Sequence, residues 1–397
     1  MSSRPFTARG AACLLCGIVL CIAASALAAR PLLYIGVLLS VLPLLSLLFV
    51  RAPRRRGEVS RHISTDLLAV GETSKVSVRF DLYAPGIPRG RWYDTLPGAV
   101  HGDASGEYPD ETRMLHYELE GVRRGTATLG PLVLRTADPF GLAQRTQAFG
   151  QTRLITVVPQ VFALLPLPTK VGAAGGTAQT RSTRLGQGAD NLIPRPYASG
   201  DSRRRIHWRA TAHRGDLMVR QEEEEASPDA VVVLDRAASR WARAAGPDAA
   251  PNALFETAVS LCASAALRFV QDGYSVDVLD SAGVLLGALR GHEDDRDGLM
   301  VALASVAPRG EARDLRAVVG AAAPGPLVVI TGQLSEADAD RLSTAGAAAP
   351  MLLAAGATRG ALAAAAAHGW HTAAFDSGSD PADAWAAALP SARMPHG

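Results

Sequence analysis

DAVVVLD at residues 229–235 and YSVDVLD at residues 274–280 are two short apolar runs, each closed by an acid. Between them, residues 252–271 set Leu254, Val259, Leu261, Ala265 and Phe269 along one helical face. Strand, helix, strand in this order predicts a parallel pair, because parallel strands need a crossover of a dozen or more residues. GVLLGAL (283–289) comes soon enough after to fold back as a hairpin partner, and LVVI (327–330), MLLA (351–354) and WHTAAF (370–375) supply later strands between alanine-rich helices. Residues 228–397 are therefore expected to form a doubly wound α/β domain. Asp235 then stands at the carboxyl end of the first strand, where such sheets bind ligands.

Immediately N-terminal, residues 191–225 read NLIPRPYASGDSRRRIHWRATAHRGDLMVRQEEEE. Pro194 and Pro196 hold Tyr197 extended, and Ser199-Gly200-Asp201 makes a tight turn in which Asp201 caps the next segment. SRRRIHWRATAH (202–213) reads as a short helix that packs through Ile206 and Ala210. His207 and Trp208 read as a packed pair, whereas Arg203, Arg204, Arg205 and Arg209 project elsewhere. LMVRQEEEE then alternates as a strand. Two accounts of the charges stand side by side: Asp201 and Glu222–Glu225 pair with the arginines to fix a domain junction, or the Arg and His side chains form a docking surface for an acidic partner. Exposed ion pairs contribute only about 0–1 kcal/mol each, so stability alone explains this density poorly. Acid–base chemistry from His207, His213 and Asp201 lacks an accompanying Ser or Cys nucleophile motif. No catalytic residue is assigned, and the expectation is a protein that is not an enzyme.

Tyr197, Gly200, Asp201, Arg204, Ile206, Trp208, Thr211, Ala212, Leu217, Val219 and Arg220 match the spacing of the DUF58 signature, which this segment closely resembles. His213 and Arg214 depart from it, standing where that family has a single Arg before the Gly. Arg123-Arg124-Gly125, Leu129-Gly130-Pro131, Asp138-Pro139-Phe140-Gly141-Leu142 and LITVVPQV (154–161) resemble the upstream part of the same proteins, so the resemblance covers roughly residues 58–390. It implies a von Willebrand factor A-like C-terminal domain, and companionship with MoxR-type ATPases in protein assembly or maturation. Von Willebrand A domains hold Mg²⁺ through a first strand ending D-x-S-x-S. Here the positions read Asp235-Arg236-Ala237-Ala238-Ser239, so one hydroxyl is missing and an Arg intrudes. Thr331 can add an oxygen from a later strand, but Gly332 and Gln333 come directly after it. A hard cation wants six or more oxygens. The site at Asp235, Ser239 and Thr331 is thus read as degenerate, with no metal and no cofactor expected. A Mg²⁺-dependent binding domain or hydrolase built on those three residues is the alternative.

Toward the N-terminus, residues 11–29 and 32–50 carry no charge, and each can cross a hydrocarbon core of about 30 Å. Arg30-Pro31 separates them, which predicts a tight transmembrane hairpin broken at the proline. Arg4 and Arg9 precede the first span and Arg51, Arg54, Arg55, Arg56 and Arg61 come after the second, against Arg30 alone at the far end. That asymmetry places the downstream chain in the cytoplasm of a two-pass plasma-membrane protein. A competing reading takes Ala26-Leu27-Ala28 as a signal-peptide cleavage site and makes the protein an extracytoplasmic envelope factor. Cys13, Cys16 and Cys21 in the first span and Cys262 in a core helix read as packing residues, without a disulfide framework.

Residues 58–165 change to short alternating runs. Val76, Val78 and Phe80 alternate with Ser77 and Arg79, Gly71-Glu72 makes a turn, and Gly121, Gly125 and Gly130 mark later corners. Strands at this spacing suggest a small antiparallel β-sandwich. Asp138-Pro-Phe-Gly reads as an Asp-capped turn with a buried Phe. Residues 166–190 read as a linker, and Gly186 and Gly188 lack the strand–helix context of a phosphate loop. The organisation is an α+β multidomain chain: hairpin (1–57), β-sandwich (58–165), linker and signature (166–227), and the α/β domain (228–397). A net charge of +2 gives no global field for nucleic acid. The partners expected are the lipid bilayer and an ATPase.

Overall fold

The computed structural model describes residues 5–51, 56–83, 90–108, 114–168, 192–196, 208–222, 229–244, 251–322, 325–342 and 347–390. Two units emerge. The first joins Met1–Ala163 with Asn252–Ser264 and His292–Gly310, and the second joins Leu164–Pro251 with Ala265–Gly291 and Glu311–Gly397.

The first unit opens with α1 (Ala8–Ala26) and α2 (Arg30–Arg51), both long and apolar enough to cross a membrane. The break falls earlier than the sequence suggests. Leu27–Ala29 make the turn, with Ala28 at φ +50°, and Arg30-Pro31 open α2. Proline is well suited to a first turn, where its missing N–H has no intrahelical partner to lose. The buried positions are Gly10, Gly17 and Ala24 on α1 and Gly36, Pro43, Ser46 and Val50 on α2. A seven-residue spacing of small residues lets two helices approach closely along one seam. A Cβ on Gly17 would lie 2.8 Å from the Gly36 carbonyl oxygen, and one on Gly36 would lie 3.0 Å from that of Gly17. Leu15, Ile18, Ile22, Leu38, Leu45 and Leu48 are left on the outer surface.

Next come β1 (Arg56–Ile63), β2 (Leu67–Ala69), β3 (Thr73–Tyr83), β4 (Gly90–Asp94), β5 (Val100–His101), β6 (Ser105–Tyr108), β7 (Met114–Gly121), β8 (Gly125–Leu129), β9 (Leu132–Ala137), β10 (Gln144–Phe149) and β11 (Arg153–Val158). They form sheets ordered β1-β3-β7-β5, β10-β9-β4-β6 and β2-β11-β8. Strict alternation of burial along β7 reflects its alternating sequence. Val76, Val78, Leu119, Leu129, Leu132 and Val157 meet in one core. Phe80 lies within β3. Pairing between these strands is antiparallel except between β2 and β11, where Leu67–Ala69 run parallel to Thr156–Val158 and the Val70 N–H donates to the Val158 carbonyl; Val70 also makes an isolated parallel bridge to Gly121. The wholly antiparallel expectation is corrected there.

Inside that core lies a charged cluster. Arg61 donates through Nε and Nη2 to the two Asp94 carboxylate oxygens at 2.8 and 2.9 Å, and the Tyr117 hydroxyl donates to Asp94 Oδ2 at 2.7 Å. Burial, and after it the Asp94 carboxylate, pushes the Tyr117 hydroxyl far above its ordinary value, so it stays a donor.

The second unit contains β12 (Leu192–Pro196), α3 (Trp208–Arg214), β13 (Met218–Glu222), β14 (Asp229–Leu234) and α4 (Ala238–Ala244). α5 (Pro251–Gln271) gives residues 252–264 to the first unit and 265–271 to the second. β15 (Ser275–Asp280) and β16 (Leu285–Leu289) come next, then α6 (Glu293–Ala304), which belongs to the first unit, and α7 (Arg316–Gly320). β17 (Pro326–Thr331), α8 (Glu336–Asp340), β18 (Ala348–Ala355), α9 (Arg359–Ala367), β19 (His371–Phe375) and α10 (Pro381–Ala388) complete it. α5 is also long and apolar enough to span a membrane, but 61% of its window is buried, against 17% and 22% for α1 and α2. It is a core helix, and burial pushes its Cys262 thiol up to about 12.

The large sheet is ordered β16-β15-β14-β17-β18-β19. β14, β15, β17, β18 and β19 are parallel, and β16 turns back antiparallel on β15. Successive strands step outward in opposite directions from β14, so the order reverses between β14 and β17. A crevice opens at such a switch point, beyond the strands' carboxyl ends.

Candidate functional site

Two places in the second unit bring together residues that the sequence singles out. The first is the switch-point crevice. Asp235 comes directly after β14 and Thr331 ends β17, so the parallel register of Leu234 with Ile330 sets them side by side. The Thr331 hydroxyl donates to Asp235 Oδ2 at 2.8 Å, and both residues are fully buried. A third group enters that the sequence reading missed. Arg240, on α4, donates through Nη1 to the same Oδ2 at 2.7 Å and through Nη2 to the Arg313 carbonyl at 3.0 Å. The Ala237 N–H donates to Oδ1 at 3.0 Å, and Trp241 Nε1 donates to the Asp235 backbone carbonyl at 2.8 Å. Ser239 lies in the first turn of α4 and is partly exposed.

The donor set does not fit a divalent cation. A hard cation takes at least six oxygen ligands, whereas here a guanidinium already holds the carboxylate oxygen that the ion would need. A second positive charge beside it would be repelled within about 4 Å in a poorly screened interior. Among the described residues, no group of three or more His, Cys, Asp or Glu side chains is placed to hold a metal. The sequence reading of a degenerate site rests on Ala237 and Arg236; the structure adds Arg240, which sets a cation of its own on Asp235. Arg240 stands five positions after Asp235, and α4, opening three residues beyond the acid, carries that position back over it.

The second place is the signature segment. β12 and β13 pair antiparallel from Leu192 with Glu222 to Pro196 with Met218, and α3 lies between them in the chain. The Thr211 hydroxyl accepts the Met218 N–H at 3.0 Å, and Gly215 closes α3 at φ +83° through an N–H to the Thr211 carbonyl at 2.9 Å. The left-handed conformation there favours glycine. Met218 is buried. Trp208 corrects the expectation of a packed His-Trp pair, since it is 69% exposed. Leu217 is exposed as well. Tyr197, Gly200, Asp201, Arg203, Arg204, Arg205 and His207, with Gly186 and Gly188, lie outside the described residues, as do Glu223–Glu225. Arg209 is described only as a position on α3.

Arg124 of the Arg-Arg-Gly motif is a structural pin of the first unit. Its guanidinium donates to Glu256 at 2.5 and 3.1 Å and to the Leu303 carbonyl at 2.6 Å, and lies 5.4 Å from the centre of the Phe255 ring.

The two places share one sequence block: a signature hairpin with its helix, leading into a parallel sheet with the buried Asp235, Thr331 and Arg240 cluster at its carboxyl ends. Residues 194–354, from β12 into β18, match the family described as "Protein of unknown function DUF58". That match supports the DUF58 resemblance over the signature and the strands from β14 to β18. No curated protein matches the chain.

Proposed function

We propose that the protein is a non-catalytic, membrane-anchored adaptor of the DUF58 type whose signature segment docks a partner. The observation that carries this reading is Trp208, 69% exposed within the signature itself and accompanied by exposed Leu217. Tryptophan and arginine dominate the energetics of protein interfaces, and Arg203, Arg204, Arg205 and Arg209 neighbour Trp208 in sequence. That composition suits an acidic partner surface. The family resemblance suggests a MoxR-type AAA ATPase in protein assembly or maturation as that partner. The sheet order, with one antiparallel edge strand, supports a von Willebrand A-like reading of the second unit. The three sheets around one core support a β-sandwich reading of the first.

The test is co-purification of the full chain with a candidate ATPase. Trp208→Ala is expected to weaken capture by tenfold or more, corresponding to about 1.4 kcal/mol or above. The double variant Arg204→Glu/Arg205→Glu is expected to weaken it further at low salt. Undiminished capture by both variants, with unchanged circular dichroism, refutes the docking role.

We further propose that α1 and α2 form a two-pass anchor in the plasma membrane with both folded units in the cytoplasm. Arg51 and the arginines at 54–56 support this orientation against lone Arg30. A reporter active only in the cytoplasm, fused after Gly57, is expected to be active. Activity from an exported reporter at the same position reverses the topology and favours the envelope-factor alternative.

A further inference from the structure

The loop between β9 and β10 is bonded to the start of the first apolar helix. The Thr7 N–H donates to the Leu142 carbonyl at 3.0 Å, its hydroxyl donates to the Gly141 carbonyl at 2.6 Å, and the Gln144 N–H donates to the Pro5 carbonyl at 3.0 Å. Phe6 and Ala143 form an antiparallel bridge. The first turn of α1 touches the loop directly, since any Cβ on Gly10 would collide with the Leu142 carbonyl. The Asp138 carboxylate fixes the loop's shape by accepting the N–H groups of Phe140 at 2.9 Å and Ala143 at 2.6 Å.

The Asp-capped turn expected from Asp-Pro-Phe-Gly is therefore present, but its aromatic residue is not inside. Leu142 is buried, and Phe140 is 65% exposed. The level of the loop explains the difference. α1 has 19 residues, about 28 Å of helix against a hydrocarbon core of about 30 Å. With no length to spare, its first turn stands at the hydrocarbon boundary. A loop hydrogen-bonded to residues 5–7 then stands in the headgroup layer beside it. α2 packs on β10, the strand that the loop enters, so both helices flank this corner. Phe49 near the end of α2 is exposed as well, and exposed Arg9 and Arg51 offer positive charge to phosphate groups.

We infer that Phe140 is a membrane-interface anchor, its ring inserted among the phospholipid headgroups and upper acyl chains beside α1. Apolar and aromatic side chains stabilise this boundary. The anchor holds the β-rich body against the bilayer at a second point, which restricts its swing about the hairpin. This inference rests on the reading of α1 and α2 as a spanning hairpin.

The experiment uses the full chain in lipid nanodiscs with the variant Phe140→Trp. The native tryptophans, Trp92, Trp208, Trp241, Trp370 and Trp385, all lie outside α1 and α2. In discs containing phosphatidylcholine brominated near the headgroup end of the acyl chains, the added emission is expected to be lost while the parent's emission is unchanged. If the discs retain the chain and the added emission persists, Phe140 faces water and the anchor is overturned, with the hairpin reading intact. If the chain does not stay with the discs after detergent removal, the hairpin reading falls and takes the anchor with it.

Discussion

Arg240→Met is expected to destabilise the second unit by about 3–5 kcal/mol, the range found when one partner of a buried ion pair is removed. The Asp235 carboxylate would keep its hydrogen bonds from Ala237 and Thr331 but would lose its counterion. For a unit of this size the loss corresponds to roughly 6–20 °C in the thermal midpoint, readable by calorimetry on the detergent-solubilised chain. Asp235→Asn added to Arg240→Met is expected to recover part of the loss, because it removes the stranded charge while keeping a polar acceptor. The parent's midpoint is expected to be unmoved by millimolar Mg²⁺ or Mn²⁺, whereas a bound ion would raise it. A cation-dependent rise would reinstate the metal reading at Asp235. A loss under about 1 kcal/mol for Arg240→Met would show that the crevice relaxes and admits water.

Asp94→Ala is expected to cost a similar 3–5 kcal/mol in the first unit, for the same reason. Arg61 packs its guanidinium against Gly130, where any Cβ would approach within 2.6–2.8 Å, and its side chain is almost wholly buried, so losing the acid leaves it, among the described residues, with only the Gln151 carbonyl as a partner on Nη1. Tyr117→Phe removes one neutral donor to the carboxylate and is expected to cost nearer 1–2 kcal/mol. A thermal scan that ranks the two variants equally would mean that the hydroxyl, and not the guanidinium, holds Asp94 in place.

The elements legible in the sequence are those whose own pattern determines their state. β14, β17 and β18 are continuous apolar runs because a parallel strand is covered on both faces. β7 alternates because one face of its sheet meets the core. The two apolar helices are visible from charge-free length alone. The features that stay hidden depend on partners distant in the chain. Nothing local shows that Ala69 aligns beside Val158, making β2 and β11 parallel. Nothing local shows that Arg124 reaches Glu256, or that the cation answering Asp235 is a side chain. Phe140 misleads because composition says that a ring wants an apolar neighbour without saying which one. Trp208 misleads because helical spacing shows which face a residue occupies, not whether anything covers it. The seam through Gly17 and Gly36 is present as a seven-residue spacing, but it becomes meaningful only once two helices are known to touch.

The turn joining α1 to α2 is three residues long, Leu27–Ala29. On the proposed two-pass reading, this hairpin offers the far face of the bilayer little more than a fingertip, with Arg30 at its base opening α2. A surface that small gives a ligand or another protein little to grip, so on that reading a signal would reach the folded units from their own side, or sideways through the lipid.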